Sequence, residues 1–350
     1  MIKQEKMCAA ILVELHHPLK VEEVLLPEKL DYGQVLVKVH YSGICGSQLG
    51  EIDGIKGEDK YLPHLLGHEG SGVVLEIGPG VSLISSGDHV VMHWKQGDGI
   101  NASLPQYTWQ GEPLNAGYVT TFNEYAVVSE NRLTRIPKDF DLQIAPLLGC
   151  AVTTGLGVVN NDARLKIGES IVVFGAGGVG LNVIQGADMT SAHPIIAVDL
   201  FDNKLELSKM FGATHLINSS RQDPKAEIQK ILRNQGADVV VDNTGNTDVI
   251  ALAYDLTKPQ GRTILVGVPE IGNAVSLYTL PLHFGKILTG SHGGDSNPTN
   301  DIARYLRLYY AGKLKLDKLI TDRFSLSDIN KAVKKMRRGE IAGRCLIEIA

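Results

Sequence analysis

At 350 residues the chain is too long for one ordinary core, so two domains are expected. Hydrophobic residues make up 43% and charged residues 21%, and the net charge of -5 gives no electrostatic case for nucleic acid or an anionic membrane surface. No apolar run reaches the roughly 18–20 residues of a membrane span. The apolar stretch after Met7 is stopped by Glu14, too early for a signal peptide. Four scattered cysteines make no disulfide framework, so a reducing cytoplasm is expected.

The first 150 residues read mostly as strands, at 7–15, 21–26, 35–41, 72–77, 89–92 and 124–128, with few helical periods before Gln143. Alternation and Gly, Pro and Asp punctuation suggest a compact, largely antiparallel β unit. From Gly168 strands and helices alternate. Strands are expected at 171–174, 195–199, 215–217, 238–242, 262–266 and 286–290, with helices at 205–211 and 226–234, the pattern of a doubly wound parallel sheet. Near the end, Ile302, Tyr305, Leu306 and Tyr309 mark one amphipathic helix. Ile329, Val333 and Met336 mark another, with Ser327 as its N-cap, before a final strand from Cys345. Lys334, Lys335, Arg337 and Arg338 on that helix read as a solvated face. A cofactor domain at 152–292 is therefore inserted in a catalytic domain made of 1–151 and 293–350.

The central stretch is Ile171 to Leu181. A short apolar strand runs directly into Gly175-Ala176-Gly177-Gly178-Val179-Gly180 and then a helix. In that order the glycines suit a tight turn, close approach to a pyrophosphate and helix–strand packing, with the helix N-terminus facing the phosphates. Asp199 ends the next strand, where a carboxylate accepts the adenosine ribose hydroxyls of NAD. Elsewhere Cys45, His68 and Cys150 form the Cys₂His set that leaves a tetrahedral zinc one open position. Taken singly, Cys150 reads equally as a small buried hydrophobe and His68 as a turn residue.

Considered together, Gly43-Ile44-Cys45, Gly67-His68-Glu69-Gly70, Gly87-Asp88-His89-Val90, Leu148-Gly149-Cys150, the Gly175–Gly180 turn, Asp199, Val266-Gly267-Val268-Pro269 and Ala342-Gly343-Arg344 resemble the medium-chain, zinc-dependent alcohol dehydrogenases over nearly the whole length. The resemblance implies a GroES-like, mostly β catalytic domain and a Rossmann cofactor domain. It implies reversible hydride transfer between an alcohol, polyol or sugar-like hydroxyl and NAD, in a homo-oligomer. Cys45, His68 and Cys150 would bind the catalytic zinc, with Glu69 behind as an occasional ligand, and Ser47 would take the proton of the zinc-polarised alcohol. Thr154 and Val179 would pack on the nicotinamide and the Val268 backbone would meet its carboxamide. Lys204 would lie near the adenosine ribose and Arg344 near the pyrophosphate, with Thr244 among the cofactor contacts. Trp94 falls at a pocket-lining position.

Four departures accompany the resemblance. The four cysteines of the family's structural zinc are missing, which leaves one zinc per chain and a loop over 93–117 packed on Trp94, Tyr107 and Trp109. Gly46 stands where many members carry a cation, and Gln48 where an aspartate supports the histidine ligand. Gly50 replaces a relay histidine, so water entering a gap there is a candidate proton exit. The alternatives are a zinc-free quinone or enoyl reductase, which typically lacks the Cys/His/Cys set, and a nucleotide-binding sensor without turnover.

Overall fold

The computed structural model describes residues 6–349. The chain divides into two units. One comprises Met1–Cys150, Asn297–Gly312 and Leu316–Ala350, and the other Ala151–Ser296 with Lys313–Lys315.

In the first unit a seven-stranded sheet runs in the order Leu133–Ile136, His89–His93, Glu69–Ile77, Gln34–Ile44, Arg344–Glu348 and Ile320–Ser325, with Tyr125–Ser129 also paired to Gln34–Ile44. A five-stranded sheet places His64–Leu65, Lys6–Leu12, Lys20–Leu25, Tyr107–Trp109 and Glu112–Leu114 side by side. Pairings are antiparallel except between Ile320–Ser325 and Arg344–Glu348. Helix Ile329–Arg337 buries Ile329, Ala332 and Val333 in a core with Leu12, Ile44 and Cys345. Its N-cap is Asp328, and the Ser327 hydroxyl instead meets Ser325 at 2.8 Å, so the expected cap is displaced by one residue. The basic residues on this helix do face water and acids: Arg337 pairs with Asp53 and Arg338 with Glu340.

Helix Gly46–Ile52 has no counterpart in the sequence expectation. It is short and contains two glycines, so propensity and periodicity both miss it. Its capping box is atypical: Cys45 serves as N-cap, and the Gln48 side-chain oxygen accepts from the Cys45 N–H at 2.8 Å.

The segment that lacks the structural-zinc cysteines is held by protein groups, and only partly by the expected aromatics. Tyr107 is fully buried and its oxygen accepts from Val127 N–H; Trp109 donates to Glu22. The earlier part is held by Glu130, a buried carboxylate that accepts from the backbone N–H groups of Ser82, Leu83 and Ile100. Sheet residue His93 closes the near end, with Nδ1 against the Lys95 carbonyl at 2.7 Å and Nε2 against the Thr134 hydroxyl at 3.0 Å. An N–H on Nδ1 and a lone pair on Nε2 satisfy both contacts, so the buried ring is neutral.

Burial pulls the His93 pKa down from 6.5 to about 4. Its folded value lies below its unfolded one, so the stability it contributes is complete above pH 6.5 and is lost as pH falls from there towards 4. The maximal loss is ~3 kcal/mol. Urea midpoints of the wild type are expected to fall between pH 7 and 5 more steeply than those of His93→Gln. Equal slopes in the two proteins would refute this reading.

The second unit is a six-stranded parallel sheet in the order His215–Asn218, Ile195–Asp199, Ile171–Phe174, Ala237–Asp242, Thr257–Leu265 and Ile287–Gly290. Ile171–Phe174 and Ile195–Asp199 are buried throughout, as central strands of a parallel sheet must be. Strand Thr257–Leu265 begins five residues before the expected 262, because Thr257 already pairs with Ala237 and the register slips before Val239. The sequence Lys258-Pro259-Gln260-Gly261 reads as a turn, and Gln260 does have a positive φ of 64°. The final strand lies at the sheet edge, as expected from its position in the chain.

Candidate active site

Cys45 follows strand Gln34–Ile44, His68 precedes strand Glu69–Ile77, and Cys150 follows the 3₁₀ turn Ala145–Gly149. The fold brings the three together. Their ligand atoms all lie within 4.8 Å of one another, and the two sulfurs are 3.9 Å apart. Two sulfurs at Zn–S distances of about 2.3 Å in a tetrahedron stand ~3.8 Å apart, so the spacing fits zinc. Nε2 of His68 is buried without a hydrogen-bond partner, a nitrogen whose lone pair a metal ion would satisfy. The Cys45 pKa lies well below its ordinary value. The hydrogen bond from Cys150 contributes most, His68 and Arg344 assist, and burial opposes them. A lowered thiol is what a metal ligand requires. Among the described residues this is the one group of three such side chains.

Glu69 lies outside that group. It is fully buried and ion-paired with Arg344, itself 4% exposed. Ser47 is exposed in the first turn of helix Gly46–Ile52. Gln48 turns its oxygen to the Cys45 N–H and leaves its buried Nε2 without a partner. At Gly46 a Cβ would meet nothing within 4 Å, so the missing cation leaves open space. Gly50 is different. A Cβ there would stand 2.5 Å from Ile55 Cδ1, so Ile55 fills the room a relay side chain would need. The expected gap for water at Gly50 is therefore closed. Trp94 is half-buried, directly after His93.

In the second unit, strand Ile171–Phe174 passes through Gly175 and Gly177 into helix Gly178–Met189. A Cβ at Gly180 would overlap the Gly175 carbonyl oxygen, so only glycine allows the helix this close to the turn. Asp199 faces that turn: its carboxylate accepts from Ala176 N–H at 2.8 Å and from Phe201 N–H at 3.1 Å. Lys204 lies over the Phe201 ring, 5.1 Å from its centre. Thr154 is buried in helix Ala151–Gly157, Val179 is half-buried, and Val268 is 58% exposed. The Thr244 hydroxyl donates to buried Asp242, which also accepts the N–H groups of Thr244 and Gly245. Asn243 braces the same region by donating to the Phe174 carbonyl. Sequence reading missed Asp242 and Asn243; the one local signal is an acid at a strand end followed by Thr244-Gly245. Arg344, expected with the cofactor residues, belongs to the first unit.

Comparison with known proteins points to one family. Residues 31–138 match the family described as alcohol dehydrogenase GroES-like domain, and residues 178–310 the zinc-binding dehydrogenase family. The chain is 33% identical to an S-(hydroxymethyl)glutathione dehydrogenase of Paracoccus denitrificans, over 95% of this chain and 97% of that protein. An alcohol dehydrogenase class-3 of Cereibacter sphaeroides matches equally, at 33% over 95% of this chain and 97% of its own. Among solved structures, benzyl alcohol dehydrogenase from Acinetobacter calcoaceticus is similar with a TM-score of 0.88 at 29% identity, covering 99% of this chain and 100% of that one.

Proposed function

The chain belongs to the medium-chain, zinc-dependent alcohol dehydrogenase family, and from that premise we propose which of its residues carry the reaction. As in that family, it is an oxidoreductase that moves hydride between an alcohol and NAD, with zinc as the metal. Cys45, His68 and Cys150 hold the zinc, and the observation that carries this is the pair of sulfurs 3.9 Å apart beside an unpartnered His68 Nε2. Bound there, zinc supplies Lewis acidity to the alcohol oxygen. The protein groups do the rest. Buried Glu69, paired with Arg344, stands behind His68 and reaches the metal only if that pair opens. Ser47 receives the alcohol proton and, being exposed, passes it to solvent without a side-chain relay. Trp94 lines the substrate pocket. Gly175, Gly177, Gly178 and Gly180 admit the pyrophosphate, and Asp199 and Lys204 take the ribose end. Thr154, Val179, Thr244 and Val268 complete the cofactor set. The domain boundaries adopted with this assignment fall after residues 151 and 292.

Ser47→Ala should lower kcat roughly 10²-fold or more while leaving NAD affinity as it is. Undiminished turnover would mean that another group takes the proton.

The same reading places the protein in the cytoplasm, consistent with four free thiols, and as a dimer or tetramer. No helix among the described residues is long and apolar enough to cross a membrane. The oligomer is assigned to the edge strand Ile287–Gly290, where Ile287 is 47% exposed, together with the segment before it, where Ile271, Tyr278 and Phe284 are 68%, 71% and 69% exposed. Unpaired apolar edges of this kind are normally covered. Light scattering at micromolar concentration should give a multiple of 37.9 kDa, and a monomer mass would refute the assignment.

A further inference from the structure

We propose that NAD is preferred over its 2′-phosphorylated counterpart by two carboxylates in tandem: Asp199, which faces the ribose, and Asp202, which detains Arg221. The inference rests on assigning Asp199 to the adenosine ribose and extends it to a residue that sequence spacing does not reveal. No Arg or Lys occurs at 200–203, so the sequence next to Asp199 supplies no cation for a 2′-phosphate.

The fold changes that picture by delivering a cation from the neighbouring strand. Asp199 ends strand Ile195–Asp199, and its register partner is Asn218, the last residue of His215–Asn218. The turn that follows is laid back on the same strand end. Ser219 N–H donates to the Asp199 carbonyl at 3.0 Å, and the Ser220 hydroxyl to the Leu200 carbonyl at 3.3 Å. Arg221 comes next in that turn, and its guanidinium meets Asp202, three residues beyond Asp199. An arginine near the ribose is the usual means of accommodating a 2′-phosphate, because its planar fork matches phosphate oxygens.

Here that arginine is already engaged. Its Nη2 lies 2.7 Å from Oδ2 of Asp202, at the start of helix Asp202–Met210. The other Asp202 oxygen accepts from Nδ2 of Asn218, a side chain held in place by burial. Asp202 is thus fixed from behind and presents one oxygen to Arg221. Both partners of the ion pair are largely exposed, so the contact adds little to folding. Its consequence is positional: it compensates Arg221 and holds it on Asp202. Lys204 is unaffected and serves as a constant background.

Removing Asp199 alone should lift the repulsion but leave Arg221 detained. Removing both should let Arg221 reach the phosphate, so the second gain depends on Arg221. The test uses calorimetric titration of the zinc-loaded protein with AMP and with adenosine 2′,5′-bisphosphate. The proteins are the wild type, Asp199→Gly, Asp199→Gly/Asp202→Asn, and that double variant with Arg221→Ala. The ratio of bisphosphate to AMP affinity should rise at Asp199→Gly and again, by about tenfold, at the double variant. Arg221→Ala should erase the second rise while AMP still binds. Absence of the second rise, or its survival without Arg221, would overturn the role of Asp202. If Asp199→Gly changes neither affinity, the ribose assignment fails and the inference fails with it.

Discussion

Cys150→Ala is expected to lose both the metal and essentially all turnover. Cys150 supplies one of two sulfurs in a cluster whose third member is a single imidazole. Without it two protein ligands remain, fewer than the three that catalytic zinc sites use. Among the described residues no carboxylate joins the cluster, and neighbouring Glu69 is neutralised by buried Arg344. The helix Ala151–Gly157 is buried along its whole length and should survive removal of one sulfur at its start. Zinc analysis together with a thermal melt would separate loss of metal from loss of fold. Retained zinc and turnover in a folded Cys150→Ala protein would remove Cys150 from the site.

Arg344→Ala should cost roughly 3–5 kcal/mol of folding stability, the usual penalty for stranding one charge of a buried pair. Glu69 is 0% exposed and Arg344 4% exposed, so water offers little relief. Neither carboxylate oxygen of Glu69 has a hydrogen-bond partner, which leaves the arginine charge as its compensation. Replacing both, as Glu69→Gln with Arg344→Met, removes both charges and should recover much of the loss. Urea unfolding of the single and double variants measures this. A cost below about 1 kcal/mol for Arg344→Ala would show that the carboxylate takes a proton or finds another partner.

The residues legible in the sequence are those whose chemistry is local. A buried strand, a glycine turn and a helix follow one another from Ile171 to Leu181, and the acid ending the next strand is Asp199. The metal ligands are legible only as a set, since Cys45, His68 and Cys150 are far apart in the chain and each alone has an ordinary structural reading. What the sequence hides is long-range. Ile55 fills the space at Gly50, which looks like a vacancy when residues are compared one by one. Glu130 organises N–H groups more than 29 positions away, at Ser82, Leu83 and Ile100, and no periodicity marks it. Glu69 and Arg344 lie near opposite ends of the chain and meet only because Arg344–Glu348 pairs with Gln34–Ile44. Helix Gly46–Ile52 is hidden by its glycines and a cysteine cap.

A single zinc per chain is the most exposed consequence of this arrangement. A second site would need further thiolates, and the two remaining cysteines are poorly suited. Burial and then nearby Glu124 raise the Cys8 pKa, and burial pushes Cys345 up to about 12. The segment that would carry a structural metal is held by Glu130, His93 and Tyr107 instead. The decisive measurement is the zinc content of protein purified without chelator, followed by activity before and after complete zinc removal. Close to one zinc per chain, with activity lost on removal and regained on adding zinc, is the predicted result. Two tightly held zincs per chain, or full activity in zinc-free protein, would contradict it.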